Sequence, residues 1–281
     1  MNECKELEKS IIKKYRKDIW SKFVKAINEY QLIQENDKIA VCISGGKDSF
    51  LMAKCMQEIQ KHGKMAFNLE FIVMNPGYSQ RNLDLIKKNA AKMQIPITIF
   101  ESDIFSIVTN VTEGNPCYLC ARMRRGCLYS YAKELGCNKI ALGHHFDDVI
   151  ETVLLNMFYG AELKSMMPKL HSTNFKGMEL IRPMYLIKEK DIVAWAKYNK
   201  LQFLNCACRF TEKVHNKEEE SKRREIKELI KQLKNYNSNI DHNIFKSVEN
   251  INLNTVIAYK KDGKIYNFLD KYNEEGEEND K

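Results

Sequence analysis

At 281 residues, with 44% apolar and 29% charged side chains, the chain has room for one large α/β domain plus an appendage and the balance of a globular protein. Its formal charge is +8, and the stretch from Asp270 to Lys281 holds six acids against two lysines, so the remaining body is basic and suits a polyanion such as nucleic acid. Lys and Glu interrupt every turn of residues 1–30 and no run of 18 apolar residues occurs, which excludes a signal-peptide core and a membrane span. A cytoplasmic location is expected. There, nine cysteines are better prospects for metal or redox chemistry than for disulfides. Cys4, Cys42, Cys55, Cys127 and Cys137 fall in apolar or helical contexts and read as bystander thiols.

Residues 1–36 are predicted helical, because Ile11, Ile12, Tyr15, Ile19, Trp20, Phe23, Ala26 and Ile27 recur three or four apart, with lysines opposite. From Asp37 the pattern becomes strand, helix, strand, helix. Strands are expected at 38–43, 67–74, 97–100 and 139–143, and helices from Phe50 onward, at 80–94, around 127–135 and at 149–159. This alternation predicts an α/β fold: a mostly parallel, doubly wound sheet with helices on both faces and ligand at the strand carboxyl ends. After Lys200 the character changes to a charged helix over 212–235, a second over 236–251, and a hairpin in which 255–259 and 264–268 flank Asp262-Gly263. The acidic tail beyond Tyr272 has the composition of a disordered segment. The expected organisation is an N-terminal helical segment (1–36), a nucleotide-binding domain (37–211), a helical and hairpin extension (212–271) and the tail (272–281).

Ser44-Gly45-Gly46-Lys47-Asp48-Ser49 sits at the first strand-to-helix turn. Glycines there let the backbone approach a ligand, and the free N–H groups of the helix start favour a phosphate. Lys47 adds a cation and Asp48 a carboxylate suited to Mg²⁺. The spacing is not that of a Walker A loop. Gly143-His144-His145-Phe146-Asp147-Asp148 also links a strand to a helix, so its polar groups should emerge at the same sheet edge. Asp147 and Asp148 suit Mg²⁺ binding or acid–base steps, and Asp147 alternatively caps the helix. Cys117 and Cys120, three apart and followed by Arg122, Arg124 and Arg125, can point at one metal or cluster. Cys206 and Cys208 follow in Asn205-Cys206-Ala207-Cys208-Arg209; a structural zinc is the alternative for such sulfurs.

The hexapeptide resembles the SGGxDS loop of the PP-loop ATP pyrophosphatases. With PCYLC, GHHFDDVIETVLLNMFYG and a late cysteine in that order, residues 20–212 resemble the tRNA 2-thiocytidine synthetase family. That resemblance implies a HUP-like PP-loop fold and an ATP-dependent tRNA sulfurtransferase using ATP, Mg²⁺ and a [4Fe–4S] cluster. It assigns Ser44, Gly45, Gly46, Lys47, Asp48 and Ser49 to the ATP phosphates and Mg²⁺, with Met74, Gly143 and His144 bordering the nucleotide. Lys47, Asp48, Asp147 and Asp148 would serve the adenylation. Cys117, Cys120 and either Cys206 or Cys208 would hold the cluster; Cys-Ala-Cys departs from the family's Cys-x-x-Cys and leaves that third ligand open, with Cys208 slightly favoured. The implied chemistry adenylates C2 of a pyrimidine, expected to be an anticodon-loop cytidine, and replaces its oxygen with sulfur through an open iron.

Arg122–Arg125, Lys222–Arg224 and the N-terminal lysines are expected to form a tRNA-backbone surface, unless Lys222–Arg224 simply pairs with Glu218–Glu220. The sulfur donor is expected to be a cysteine desulfurase or sulfide, and a homodimer is compatible with the sequence. Two other readings fit some of these residues: the same chemistry on a uridine or a non-tRNA acceptor, and a zinc- or cluster-bearing, redox-sensing nucleic-acid-binding module with a degenerate ATP site.

Overall fold

Lys38-Ile39-Ala40-Val41-Cys42 is apolar after its first residue and too short for a helix, and it forms the strand on which the fold is built, β1 (Lys38–Cys42). In this computed structural model residues 3–102, 104, 116–204 and 217–272 are described, with 116–121, 217–221 and 271 described by backbone alone. Strand β1 pairs in parallel with β2 (Asn68–Asn75) on one side and β4 (Lys139–Ala141) on the other. Beyond β2 lies β3 (Ile97–Glu101), also parallel. Beyond β4 lies β6 (Glu179–Ile181), parallel, edged by the antiparallel β5 (Lys169–His171). The order β3-β2-β1-β4-β6-β5 reverses direction between β1 and β4. Loops leaving those two strands diverge there and open a crevice at their carboxyl ends.

The strands are linked by helices α3 (Lys47–His62), α4 (Gln80–Met93), α5 (Pro116–Glu134) and α6 (Phe146–Tyr159), and α7 (Glu189–Tyr198) follows the last strand of the sheet. One face of the sheet buries Phe50, Leu51 and Met52 of α3 with Phe23 and Trp195. The other buries Tyr129 and Ala132 of α5 against Ala40, Ile72, Ile140 and Leu180. Strands β5 and β6 were not expected; at three residues each, carrying Lys169, His171 and Glu179, they are too short to show a period of two. Strand β4 stops at Ala141, two residues earlier than predicted, which frees Gly143 to leave the sheet.

The N-terminal segment is helical but not one α-helix. Between α1 (Glu3–Lys9) and α2 (Ser21–Glu29) run two wide π turns, Ser10–Lys14 and Arg16–Trp20. Apolar spacing reports which side faces the core and not the width of the turn. Buried Ser10 anchors the first wide turn by accepting hydrogen bonds from Trp195 Nε1 at 3.0 Å and Asn199 Nδ2 at 3.2 Å. Lys54, 1% exposed, ties α1 to α3 by donating to Glu8 at 2.7 Å and to the Met93 carbonyl at 3.1 Å.

Past the central fold, α8 (Lys217–Tyr236) and α9 (Ile240–Ser247) pack on α6, burying Ile226, Ile230 and Phe245 with Phe146, Ile150 and Leu154. The expected hairpin forms from β7 (Ala258–Lys261) and β8 (Lys264–Asn267). Asp262 and Gly263 both take positive φ, as a two-residue hairpin turn requires. No helix among the described residues is long and apolar enough to cross a membrane. Cys4, Cys42, Cys55 and Cys137 are buried thiols and Cys127 is half-buried, which agrees with their reading as bystanders.

Candidate active site

The hexapeptide forms the turn from β1 into α3, and the glycine at its centre is required twice over. Gly45 has φ +88°, and a Cβ there would lie 2.7 Å from Leu204 Cδ1 and 3.0 Å from Ile86 Cγ1. The loop is held from outside as well: Leu204 N–H donates to the Gly45 carbonyl at 3.1 Å. Inside it, the buried Ser49 hydroxyl accepts from Ser44 N–H at 3.2 Å and donates to the Gly46 carbonyl at 3.0 Å. Ser49 is therefore a strut of the loop, whereas Ser44 is exposed. Gly46 is the N-cap of α3 and offers no side-chain acceptor, so the first N–H groups of that helix stay available to an anion.

Gly143 brings the second motif against this loop. A Cβ at Gly143 would stand 3.2 Å from Ser49 N and 3.3 Å from the Asp48 carbonyl carbon, so only glycine lets the two turns approach this closely. Met74, at the end of β2, is buried in the main core.

Around the crevice runs a chain of alternating charges drawn from four helices, its two ends bridged by the His145 ring. Lys47 Nζ lies 3.2 Å from Asp48 and 3.1 Å from Glu189. Glu189 is 3.4 Å from Lys227, and Lys227 is 3.5 Å from Glu151. Glu151 receives Arg223 Nε at 2.7 Å, and Arg223 Nη2 reaches Asp148 at 2.8 Å. Asp148 is 3.4 Å from His145 Nδ1, and His145 Nε2 is 3.9 Å from Asp48. Burial pushes the Asp48 carboxyl up against the pull of Lys47 and His145, and its Oδ1 is buried without a hydrogen-bond partner. A buried, unpaired carboxylate oxygen is the donor a hard cation seeks. Asp48 therefore fits Mg²⁺. Burial works against the Lys47 charge, but Asp48 and Glu189 outweigh it and raise its pKa.

The two aspartates of the second motif divide their work. Asp148 Oδ2 accepts from His145 N–H at 2.9 Å and so caps α6, while its other oxygen holds Arg223. Asp147 Oδ2 accepts from Glu189 N–H at 2.7 Å and so caps α7, not its own helix. His144 lies beside Arg182, whose Nε is 3.4 Å from His144 Nδ1. Burial, then the Arg182 charge, pushes the His144 pKa down to about 4, so the ring is neutral at pH 7 and accepts from the guanidinium.

Glu151, Arg182, Glu189, Arg223 and Lys227 were not among the expected site residues. Arg223 and Lys227 stand four apart, one helical face, which is the available signal in the sequence. Their acidic partners lie on other helices and leave none. Arg223 is thus held by Glu151 and Asp148 while its side chain stays 45% exposed, and the side chains of Glu218–Glu220 lie outside the described residues. Lys222 lies 5.5 Å from the Tyr159 ring centroid, and Arg224 is exposed. The expected arginine group also divides, with Arg122 and Arg125 exposed and Arg124 half-buried. Cys117 and Cys120 are the second and fifth residues of α5, about one turn apart near the helix N-terminus, which favours thiolates. Their side chains, and Cys206 and Cys208 altogether, lie outside the described residues.

Residues 16–235 match the family model of the PP-loop domain. A tRNA-cytidine(32) 2-sulfurtransferase of Photobacterium profundum is 37% identical over 85% of this chain and 76% of its own. Its counterpart in Alcanivorax borkumensis is 36% identical over 85% and 83%. Among solved structures, the U34-tRNA thiolase NcsA of Methanococcus maripaludis, determined with its [4Fe–4S] cluster, superposes with a TM-score of 0.66. It is 25% identical, over 82% of this chain and 76% of that one. With a family model over residues 16–235 and curated relatives of this identity and coverage, the chain belongs to the tRNA 2-thiocytidine synthetase family of PP-loop proteins.

Proposed function

We propose that the protein is an ATP-dependent tRNA sulfurtransferase that thiolates C2 of a cytidine in the anticodon loop, at position 32. The observation that carries this reading is the contact of the two motifs through Gly143, beside a buried Asp48 Oδ1 that has no hydrogen-bond partner. The shared name of the curated relatives supports the base and its position. ATP and tRNA meet in the cytoplasm, the location proposed here. Sulfide or a cysteine desulfurase supplies the sulfur, and a homodimer is the proposed assembly.

The N–H groups opening α3, with Ser44 and Lys47, hold the triphosphate, and Asp48 holds its Mg²⁺. The C2 carbonyl oxygen of the base bonds to the α-phosphorus as the bond to the leaving pyrophosphate breaks. Lys47 is placed to exchange Glu189 for the charge that develops on the phosphate oxygens. Asp147 and Asp148, fixed by their capping bonds, hold the walls of the crevice, and neutral His144 can hydrogen-bond the base without repelling Arg182. A [4Fe–4S] cluster held by Cys117, Cys120 and Cys206 or Cys208 would supply an open iron for hydrosulfide, whose sulfur takes the C2 position as AMP departs with the oxygen.

Two measurements test the proposal. Asp48→Ala should abolish tRNA-dependent pyrophosphate release and leave the iron content of anaerobically prepared protein unchanged; retained turnover would remove Asp48 from the site. Nucleoside analysis of tRNA from a deletion strain should lose 2-thiocytidine. Loss of a thiouridine instead would reassign the acceptor.

A further inference from the structure

A second cavity, of about 560 Å³, lies between α5 and the β5–β6 edge of the sheet. Arg122, Arg125 and Arg182 line it with Tyr129, Phe175 and the polar loop 172–174, and no carboxylate lines it among the described residues. Arg182 is 8% exposed, and its recorded partners are neutral, the Met167 carbonyl and His144. Burial, and further on the nearby Arg125 charge, bring the Arg182 pKa down to about 10. Guanidinium groups that repel one another in a carboxylate-free pocket are stabilised by an anion. Tyr129 and Phe175 stack with ring centroids 5.1 Å apart, and Phe175 is only half-buried, leaving ring surface for a planar group. Phosphate charge beside an aromatic face is the chemistry of single-stranded nucleic acid.

We propose that this cavity holds a nucleotide of the substrate RNA next to the modified base, its phosphate between Arg122 and Arg125 and its base against Phe175. This rests on the tRNA reading above and adds where the strand leaves the active site. Arg182 is the junction, because it lines the cavity and touches His144 of the GHHFDD turn. A strand entering the crevice with its target base extruded passes this residue, and the neighbouring nucleotide then enters the cavity.

The test is fluorescence anisotropy with a labelled anticodon-loop RNA oligonucleotide, comparing wild type, Arg122→Ala/Arg125→Ala and Phe175→Leu at several salt concentrations. Both arginines are exposed, and leucine at 175 keeps an apolar side chain, so folding is preserved; ATP affinity serves as the control. The double variant should bind RNA about tenfold or more weakly, with a log–log salt slope shallower by about one to two. Phe175→Leu should lose about fivefold or more with the slope unchanged. Undiminished RNA binding in both variants would overturn the cavity assignment and leave the tRNA reading standing. Failure of the wild type to bind either the oligonucleotide or whole tRNA would overturn the tRNA reading itself. If 5′-CMP or inorganic phosphate competes as strongly as the oligonucleotide, the cavity is a small-anion site and the strand proposal falls.

Discussion

Two single residues of the GHHFDD turn set limits that can be measured. The backbone of Asp48 and Ser49 stands where a Cβ on Gly143 would press, so Gly143→Ala must displace the phosphate loop by a few tenths of an ångström. Misplacement of that size should cost about tenfold in kcat/KM for ATP. Stability should fall by only about 1 kcal/mol, so pyrophosphate-release kinetics beside a thermal melt separate the two effects. His144 carries a pH signature. With a folded pKa of about 4 against an ordinary 6.5, the unfolded chain binds the extra proton between those values. Stability from this group is complete above pH 6.5 and is lost as pH falls towards 4, by on the order of 2 kcal/mol. Urea midpoints should therefore drop between about pH 7 and pH 5 in the wild type by more than in His144→Asn.

At the scale of elements, α8 is the one that changes the picture of the site. Its Arg223 neutralises Glu151, whose side chain is 3% exposed, while the guanidinium itself remains 45% exposed. Arg223→Gln should destabilise by about 2–3 kcal/mol, below the range for fully buried pairs because solvent screens one partner. Glu151→Gln in the same chain should recover part of that loss, and a double-mutant cycle by chemical denaturation measures the coupling. The spacing of Arg223 and Lys227 marks one helical face, but their partners were not legible from the sequence, since Asp148 and Arg223 are 75 residues apart and no local pattern joins them. The two glycine turns of the crevice were legible for the opposite reason. Each is a contiguous motif whose glycine and flanking strand declare the backbone they need. Between these extremes, Asp147 and Asp148 were found as a pair, but which helix each caps depends on where α7 docks. Strands β5 and β6 escaped because three residues hold no period, and the π turns because apolar spacing carries no information on helix bore.

For the whole molecule, the extension after Lys200 consists of two unequal parts. Helices α8 and α9 share buried apolar surface with α6, so removing them should unfold the chain or leave it insoluble. The β7–β8 hairpin exposes Ile257, Ile265, Tyr266 and Phe268, and none of its residues is buried. Truncation after Asn250 should therefore shift the thermal midpoint by no more than about 2 °C. The bond from Leu204 to Gly45 has a consequence for synthesis. About 160 residues separate them, and at 5–20 residues per second the ribosome takes roughly ten to thirty seconds to cover that distance. Throughout that interval the emerging phosphate loop lacks the strut that shapes it, and the carboxylates of α6 lack Arg223. A nascent or prematurely terminated chain would accordingly display the SGGKDS motif without gripping a nucleotide, and ATP retention would mark the finished polypeptide.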